Sequence, residues 1–217
     1  MSKVLVFASA TKDVGKRQLV NNLAYALVSY GWKVVVLTLD HHGAESREQL
    51  EKVGIKTFNR PNVLPVEQFD FVLVNSQPGV FPSGLSGYHF LVLTPFIDVI
   101  SASRIFVDSL GVNSVFQLVV NMVGLHKELE VYRYKIESLM GAPVAYEIPY
   151  DKILSRAEVT GRLAVKVYPW STFSQTMLKV ATLVSDLYYL PPPKYMTPQK
   201  FFKNLHGLFS RSFFKMW

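Results

Sequence analysis

The sequence predicts an α/β fold: a doubly wound, mostly parallel sheet with helices on both faces, followed by a C-terminal amphipathic helix. Two patterns carry this reading. Short valine- and leucine-rich runs alternate with stretches of helical periodicity, the signature of parallel βαβ units. A Gly-Lys pair, Gly15-Lys16, lies between the first apolar run and the first helical pattern. In order, residues 3–8 read as a buried strand. Residues 17–30 read as a helix, with Leu19, Val20, Leu23, Leu27 and Val28 on one side and Gly31 as its stop. Residues 33–39 form a second strand, and further strands are expected at 71–74, 90–93, 116–120 and 144–148. Helices fill 98–110, 127–139 and 171–188. No internal repeat is visible. Pro191, Pro192 and Pro193 stop the last body helix and stiffen the chain. This divides it into a domain at 1–190, a linker at 191–197 and a tail at 198–217.

Composition excludes several classes. With 217 residues, 49% apolar and 18% charged, the chain can bury one sizeable core and is neither disordered nor fibrous. It has no cysteine, so disulfides, cysteine nucleophiles and thiolate metal sites are absent. No apolar run approaches the roughly 20 residues of a membrane span. The apolar stretch behind Met1-Ser2-Lys3 is too short for a secretory signal, and a cytoplasmic protein is expected. The formal charge of +7 is unevenly placed. Asp186 is the last acid, and beyond it stand Lys194, Lys200, Lys203, Arg211 and Lys215. The body is close to neutral, so an anionic partner is expected at the tail rather than on a basic nucleic-acid-binding body.

The segment from Ser9 to Gln18, Ser-Ala-Thr-Lys-Asp-Val-Gly-Lys-Arg-Gln, joins the first strand to the first helix. In a phosphate-binding loop, backbone N–H groups and a helix N-terminus face the anion, and a lysine adds a point charge. Asp13, Val14, Gly15, Lys16, Arg17 and Gln18 are therefore the candidate nucleotide-binding residues.

Here the sequence resembles the MinD/ParA superfamily of deviant Walker A ATPases, which belongs to the SIMIBI class of P-loop proteins. Thr11 to Arg17 aligns with that family's Lys-Gly-Gly-x-Gly-Lys-Thr loop. Leu19 to Leu27 resembles its first helix. Val34 to Asp40 resembles its second strand, and Phe69 to Gly79 its Walker B segment. Val119-Val120-Asn121 resembles the strand ending in an adenine-contacting asparagine, and Ile148-Pro149-Tyr150-Asp151 the Ile-Pro-x-Asp that follows the last strand. The resemblance covers roughly residues 1–188 in matching order. It implies a P-loop NTPase-like fold, ATP or ADP as ligand, and Asn121 and Pro149 at the nucleotide. Asp40 corresponds to the carboxylate that orients attacking water, or it caps nearby backbone. A dethiobiotin-synthetase-like loop, which also carries an acid before Val-Gly-Lys, is a second match.

The departures bear on chemistry. The family's lysine that reaches across a dimer is Thr11 here, and its paired glycines are Lys12 and Asp13. Its magnesium-binding threonine is Arg17, and its Walker B aspartate is Asn75. Hard divalent cations want oxygen ligands, preferably anionic, and neither position supplies one. The charge nevertheless balances. Losing Mg²⁺ removes two positive charges, arginine for threonine restores one, and asparagine for aspartate removes a negative one. Three outcomes stay open: magnesium-dependent hydrolysis, nucleotide binding without essential magnesium, and a loop kept only as architecture. No metal site is expected. Asp40, His41 and His42 are adjacent on an extended stretch, which points their side chains apart.

In the tail, Thr197 and Pro198 supply an N-cap and a first helical residue. On a helical wheel Phe201, Phe202, Leu205, Leu208, Phe209, Phe213, Met216 and Trp217 share one half. Lys200, Lys203, Asn204, Ser210, Arg211 and Lys215 lie on the other, while His206, Ser212 and Phe214 break the pattern. An acid-free helix with aromatics opposite cations suits an anionic lipid surface, and the resemblance implies a C-terminal membrane-targeting helix of this kind. A groove on the body or on a partner is the other use of such a helix. The expected function is that of a peripheral membrane adaptor or scaffold with an impaired magnesium-ATPase site, positioning a protein partner, with homo-oligomers allowed and nucleic acid disfavoured. The alternatives are an active ATPase cycling on and off the membrane, and a dethiobiotin-synthetase-like ligase.

Overall fold

The computed structural model describes residues 2–39, 44–59, 68–82, 85–110 and 116–186. Seven strands form one sheet: β1 (Lys3–Ala8), β2 (Val34–Thr38), β3 (Lys56–Asn59), β4 (Phe71–Asn75), β5 (Tyr88–Leu93), β6 (Gln117–Val123) and β7 (Val144–Pro149). Their order is β3-β2-β4-β1-β5-β6-β7, and every pairing is parallel. The helices are α1 (Lys16–Ser29), α2 (Ala44–Glu51), α3 (Ile97–Ser109), α4 (Arg133–Met140), α5 (Lys152–Val159), α6 (Ala164–Val167) and α7 (Thr172–Asp186). This is the doubly wound parallel sheet that the apolar runs predict.

Parallel strands need crossovers, and the crossover helices cover both faces of the sheet. Every residue of β2 and β4 is accordingly buried. Strand alternation sorts the core. Leu5, Phe7, Phe71, Leu73, Phe90, Val92 and Ile148 share a face with Leu19, Leu23 and Leu27 of α1 and Phe173, Met177 and Val184 of α7. On the opposite face Leu91, Leu93, Leu118 and Val120 meet Ile100 of α3 and Ile136 and Met140 of α4. Phe7 and Phe90 stack at 5.2 Å, and Trp32 meets Phe71 edge-on at 5.3 Å.

The ends of the elements have local causes. At the C-terminus of α1, the N–H groups of Tyr30 and Gly31 bond the carbonyls of Leu27 and Val28, and Gly31 takes φ 89°. The Asp151 side chain caps α5 at Ile153 N (3.0 Å) and also accepts from Phe173 N at the start of α7 (3.2 Å). One expected helix is shorter than its pattern. Residues 124–132 form a loop, and α4 begins at Arg133 rather than 127. The Glu130 carboxylate accepts from Gly124 N at 2.9 Å and His126 N at 3.0 Å, bonds that compete with helix formation. Asp40, the linker 191–197 and the tail 198–217 lie outside the described residues. Among those that are described, no helix is long and apolar enough to cross a membrane.

His89 is a half-buried titratable side chain of β5. Its ring stacks on Phe81 at 5.0 Å, Nε2–H donates to Leu85 O at 2.9 Å, and the buried Nδ1 has no partner. Burial pulls its pKa below the ordinary 6.5, with the Leu85 hydrogen bond opposing. A base depressed in the folded state binds more protons when unfolded, so its stabilising contribution is complete above pH 6.5 and shrinks as pH falls through that value. Denaturant unfolding from pH ~7.5 to ~5.5 should therefore show a smaller stability loss in His89→Gln than in the wild type.

Candidate phosphate site at the end of β1

The C-terminal ends of β1, β4 and β5 meet where the chain's excursions diverge to the two halves of the sheet, the position at which open α/β sheets bind ligands. From β1 the loop 9–15 runs into α1. Ser9 Oγ donates to Thr11 O (2.9 Å), Gly79 N to Ser9 O (2.8 Å) and Ser76 N to Phe7 O (3.0 Å). The loop is thus stitched to itself and to the chain leaving β4.

Gly15 is the N-cap of α1, with φ 72° and ψ 13°. Its conformation is left-handed, and space also excludes a side chain. A Cβ at this position would overlap the Asn121 amide nitrogen and lie 3.1 Å from Met122 Cε. Asn121 Nδ2 donates to Val14 O at 2.8 Å, and Val14 itself is buried. Asn121, which the resemblance links to adenine, therefore also supports the loop from beneath. Asp13 occupies φ 60°. Aspartate is among the residues that tolerate a positive φ best.

The first turn of α1 has no side-chain cap and no acid. Its first intrahelical bond runs from Leu19 N to Gly15 O. The preceding N–H groups form an electropositive end suited to an anion. Lys16 is buried, and Nζ donates to Ser76 O at 2.6 Å, which anchors the amine at the end of β4. Arg17, next on the helix, is partly buried. Gln18 is buried, and its carbonyl accepts from Asn22 Nδ2 at 2.8 Å. Pro149 ends β7 opposite Val123, three strands from β1 with β5 and β6 between them.

Asn75 ends β4 in register with Phe7 on one side and Thr38 on the other. By alternation it shares the face of Phe71 and Leu73, which is the face that α1 covers. It is 4% exposed, and its Oδ1 has no hydrogen-bond partner. Thr11 Oγ1 and Thr94 Oγ1, at the same end of the sheet, are likewise buried and unpartnered. These two hydroxyls, with the Glu130 clamp, are the features that the sequence reading missed. Thr94 follows β5 as an ordinary polar strand end, and the Glu130 contacts run to backbone atoms that only the fold brings near.

The residues present fit a polyphosphate: an uncapped helix start, a left-handed glycine, Lys16 and Arg17. They do not fit magnesium. Arg17 has no hydroxyl to coordinate a metal, and Asn75 offers a neutral oxygen where a carboxylate would be needed.

Gly15→Ala should destabilise the protein by more than the ~1–2 kcal/mol of a left-handed alanine, because its Cβ also strikes Asn121. Asn121→Ala alone should cost about 1–3 kcal/mol through its lost bond to Val14. The double variant should lose less than the sum of the two, since truncating Asn121 removes the atom that the new Cβ meets. Denaturant unfolding of the four-member cycle reads this coupling directly.

The family profile described as the CobQ/CobB/MinD/ParA nucleotide binding domain (CbiA) matches residues 5–165. Among solved structures, the fold is similar to MinD in the MinC:MinD cell division protein complex of Aquifex aeolicus, with 17% identity, coverage of 90% of this chain and 100% of that one, and a TM-score of 0.70. It is similar to the septum site-determining protein MinD complexed with Mg-ADP from Pyrococcus horikoshii, with 19% identity, 88% and 98% coverage, and a TM-score of 0.68. It is also similar to a ParA family ATPase from Chlorobium tepidum, with 15% identity, 84% and 99% coverage, and a TM-score of 0.67. Comparison with curated protein sequences returns no match. With three quarters of its length matched by the family profile and the loop, switch point and strand order in place, the chain belongs to the CobQ/CobB/MinD/ParA nucleotide-binding family, within the MinD/ParA superfamily.

Proposed function

We propose that this protein is a MinD/ParA-type nucleotide-binding protein with an impaired magnesium-ATPase site. It acts as a peripheral membrane adaptor or scaffold that positions a protein partner. The observation that carries the reading is the joint replacement at Arg17, in the first turn of α1, and Asn75, at the end of β4. Phosphoryl transfer depends on metal and positive clamps to hold the charge of the transition state, and both metal-supporting positions lack the required oxygen chemistry. The loop around Gly15 and Lys16 supports continued nucleotide binding. The Pyrococcus relative was solved with Mg-ADP and the Aquifex relative with MinC, which favours a nucleotide ligand and a protein partner here as well.

The membrane half of the reading rests on the chemistry of residues 198–217. Phe201, Phe202, Leu205, Leu208, Phe209, Phe213 and Trp217 provide apolar surface, and Lys200, Lys203, Arg211 and Lys215 together contribute up to about 4 kcal/mol at an anionic surface. Within the body, α7 begins beside Asp151 at the loop end of the sheet, and its second half packs near Tyr30 at the far end of α1.

Two measurements test the proposal. Phosphate release from ATP with magnesium, with and without lipid, should not exceed that of Lys16→Ala; turnover abolished by Lys16→Ala would return the protein to the active ATPases. Liposome co-sedimentation should rise with anionic lipid and fall with salt. It should disappear on deletion of 198–217 and weaken more in Phe209→Glu than in Lys203→Ala. Equal sedimentation of the truncated body would remove the tail as anchor.

A further inference from the structure

We propose that the loop site holds a nucleoside polyphosphate without a divalent cation, with the Arg17 guanidinium supplying positive charge in place of the metal. The inference rests on the nucleotide-binding reading and adds how the charge of the ligand is met. Three observations converge on it. The α1 N-terminus is uncapped and free of acids, with Lys16 and Arg17 as its first two residues. Asn75 ends β4 on the face that α1 covers, 4% exposed, and its Oδ1 is unpartnered. Thr11 Oγ1, within the loop, is a second buried polar atom without a partner.

The chemistry of the pair is compensating. A magnesium ion between phosphates, a hydroxyl and a carboxylate carries two positive charges against one negative. Arginine and asparagine at those positions leave one positive charge and none negative, so this pair presents the same net charge as metal with carboxylate, while Lys12 and Asp13 add one charge of each sign elsewhere in the loop. A guanidinium also holds phosphate oxygens through a planar fork of donors, which a hydrated cation does not. The same fork opposes entry of a metal, because a divalent ion would have to share the site with a fixed cation and a neutral amide. The Asn75 carbonyl remains an acceptor for a water or hydroxyl that arrives with the ligand. An unpaired buried oxygen is unfavourable while the site is empty, and that penalty falls when a donor binds.

The test is calorimetric titration of ATP and of ADP into the full chain, in EDTA and in excess magnesium. The expected result is an affinity in EDTA equal to or above that in magnesium. Arg17→Ala should weaken binding in EDTA at least about tenfold, with its melting temperature recorded to confirm folding. The double reversion Arg17→Thr/Asn75→Asp should make binding depend on magnesium. The wild-type comparison needs no variant and decides alone if a variant fails to fold. Binding that requires magnesium overturns this inference and leaves the nucleotide-binding reading standing. Absence of binding in both conditions overturns both.

Discussion

The close approach of Asn121 to Gly15 determines where β1 becomes α1. One amide donates to Val14 O and fills the space where any other residue at 15 would place a Cβ. The left-handed turn at Gly15 then aims the axis of α1 back across the sheet, and its first turn is left without a cap. Lys16, bonded to Ser76 O, joins the same point to the end of β4. Three strands are therefore tied to one turn through β6, β1 and β4, and the core on the face that α1 covers follows from the direction that the helix takes.

This arrangement separates architecture from catalysis. The loop is held by Ser9, Gly79, Asn121 and Lys16 through bonds within the protein. A chain can lose a metal-supporting carboxylate without losing the loop, because none of those bonds involves the Asn75 side chain. Asp13 likewise takes φ 60° without being a glycine. Retention of the turn is thus weak support for hydrolysis, and the identities of residues 17 and 75 decide more.

Much of the sheet was legible because parallel strands buried on both faces read as uninterrupted apolar runs, as Val34–Thr38 and Phe71–Asn75 do. β3 was not, since Lys56–Asn59 is a short, largely exposed edge. The eight polar-rich residues of α2 carry little apolar periodicity. The loop at 124–132 passed for helix because Glu130 caps backbone groups, a contact without a sequence pattern. At the site, Gly15 and Lys16 were legible from their place between strand and helix. The support that Asn121 gives to Val14 was not, because 107 residues separate the partners, and only the crossing of β6 under the loop brings them together.

The unpartnered polar atoms extend the argument from charge to hydration. Of five such side-chain atoms among the described residues, Thr11 Oγ1, Asn75 Oδ1 and Thr94 Oγ1 belong to the loop end of the sheet. Each buried group without a partner costs about 1–3 kcal/mol, and native proteins keep few of them. Thr11 follows β1, Asn75 ends β4 and Thr94 follows β5, so the three atoms stand on neighbouring strand ends, where a polar ligand and its waters would supply the missing partners.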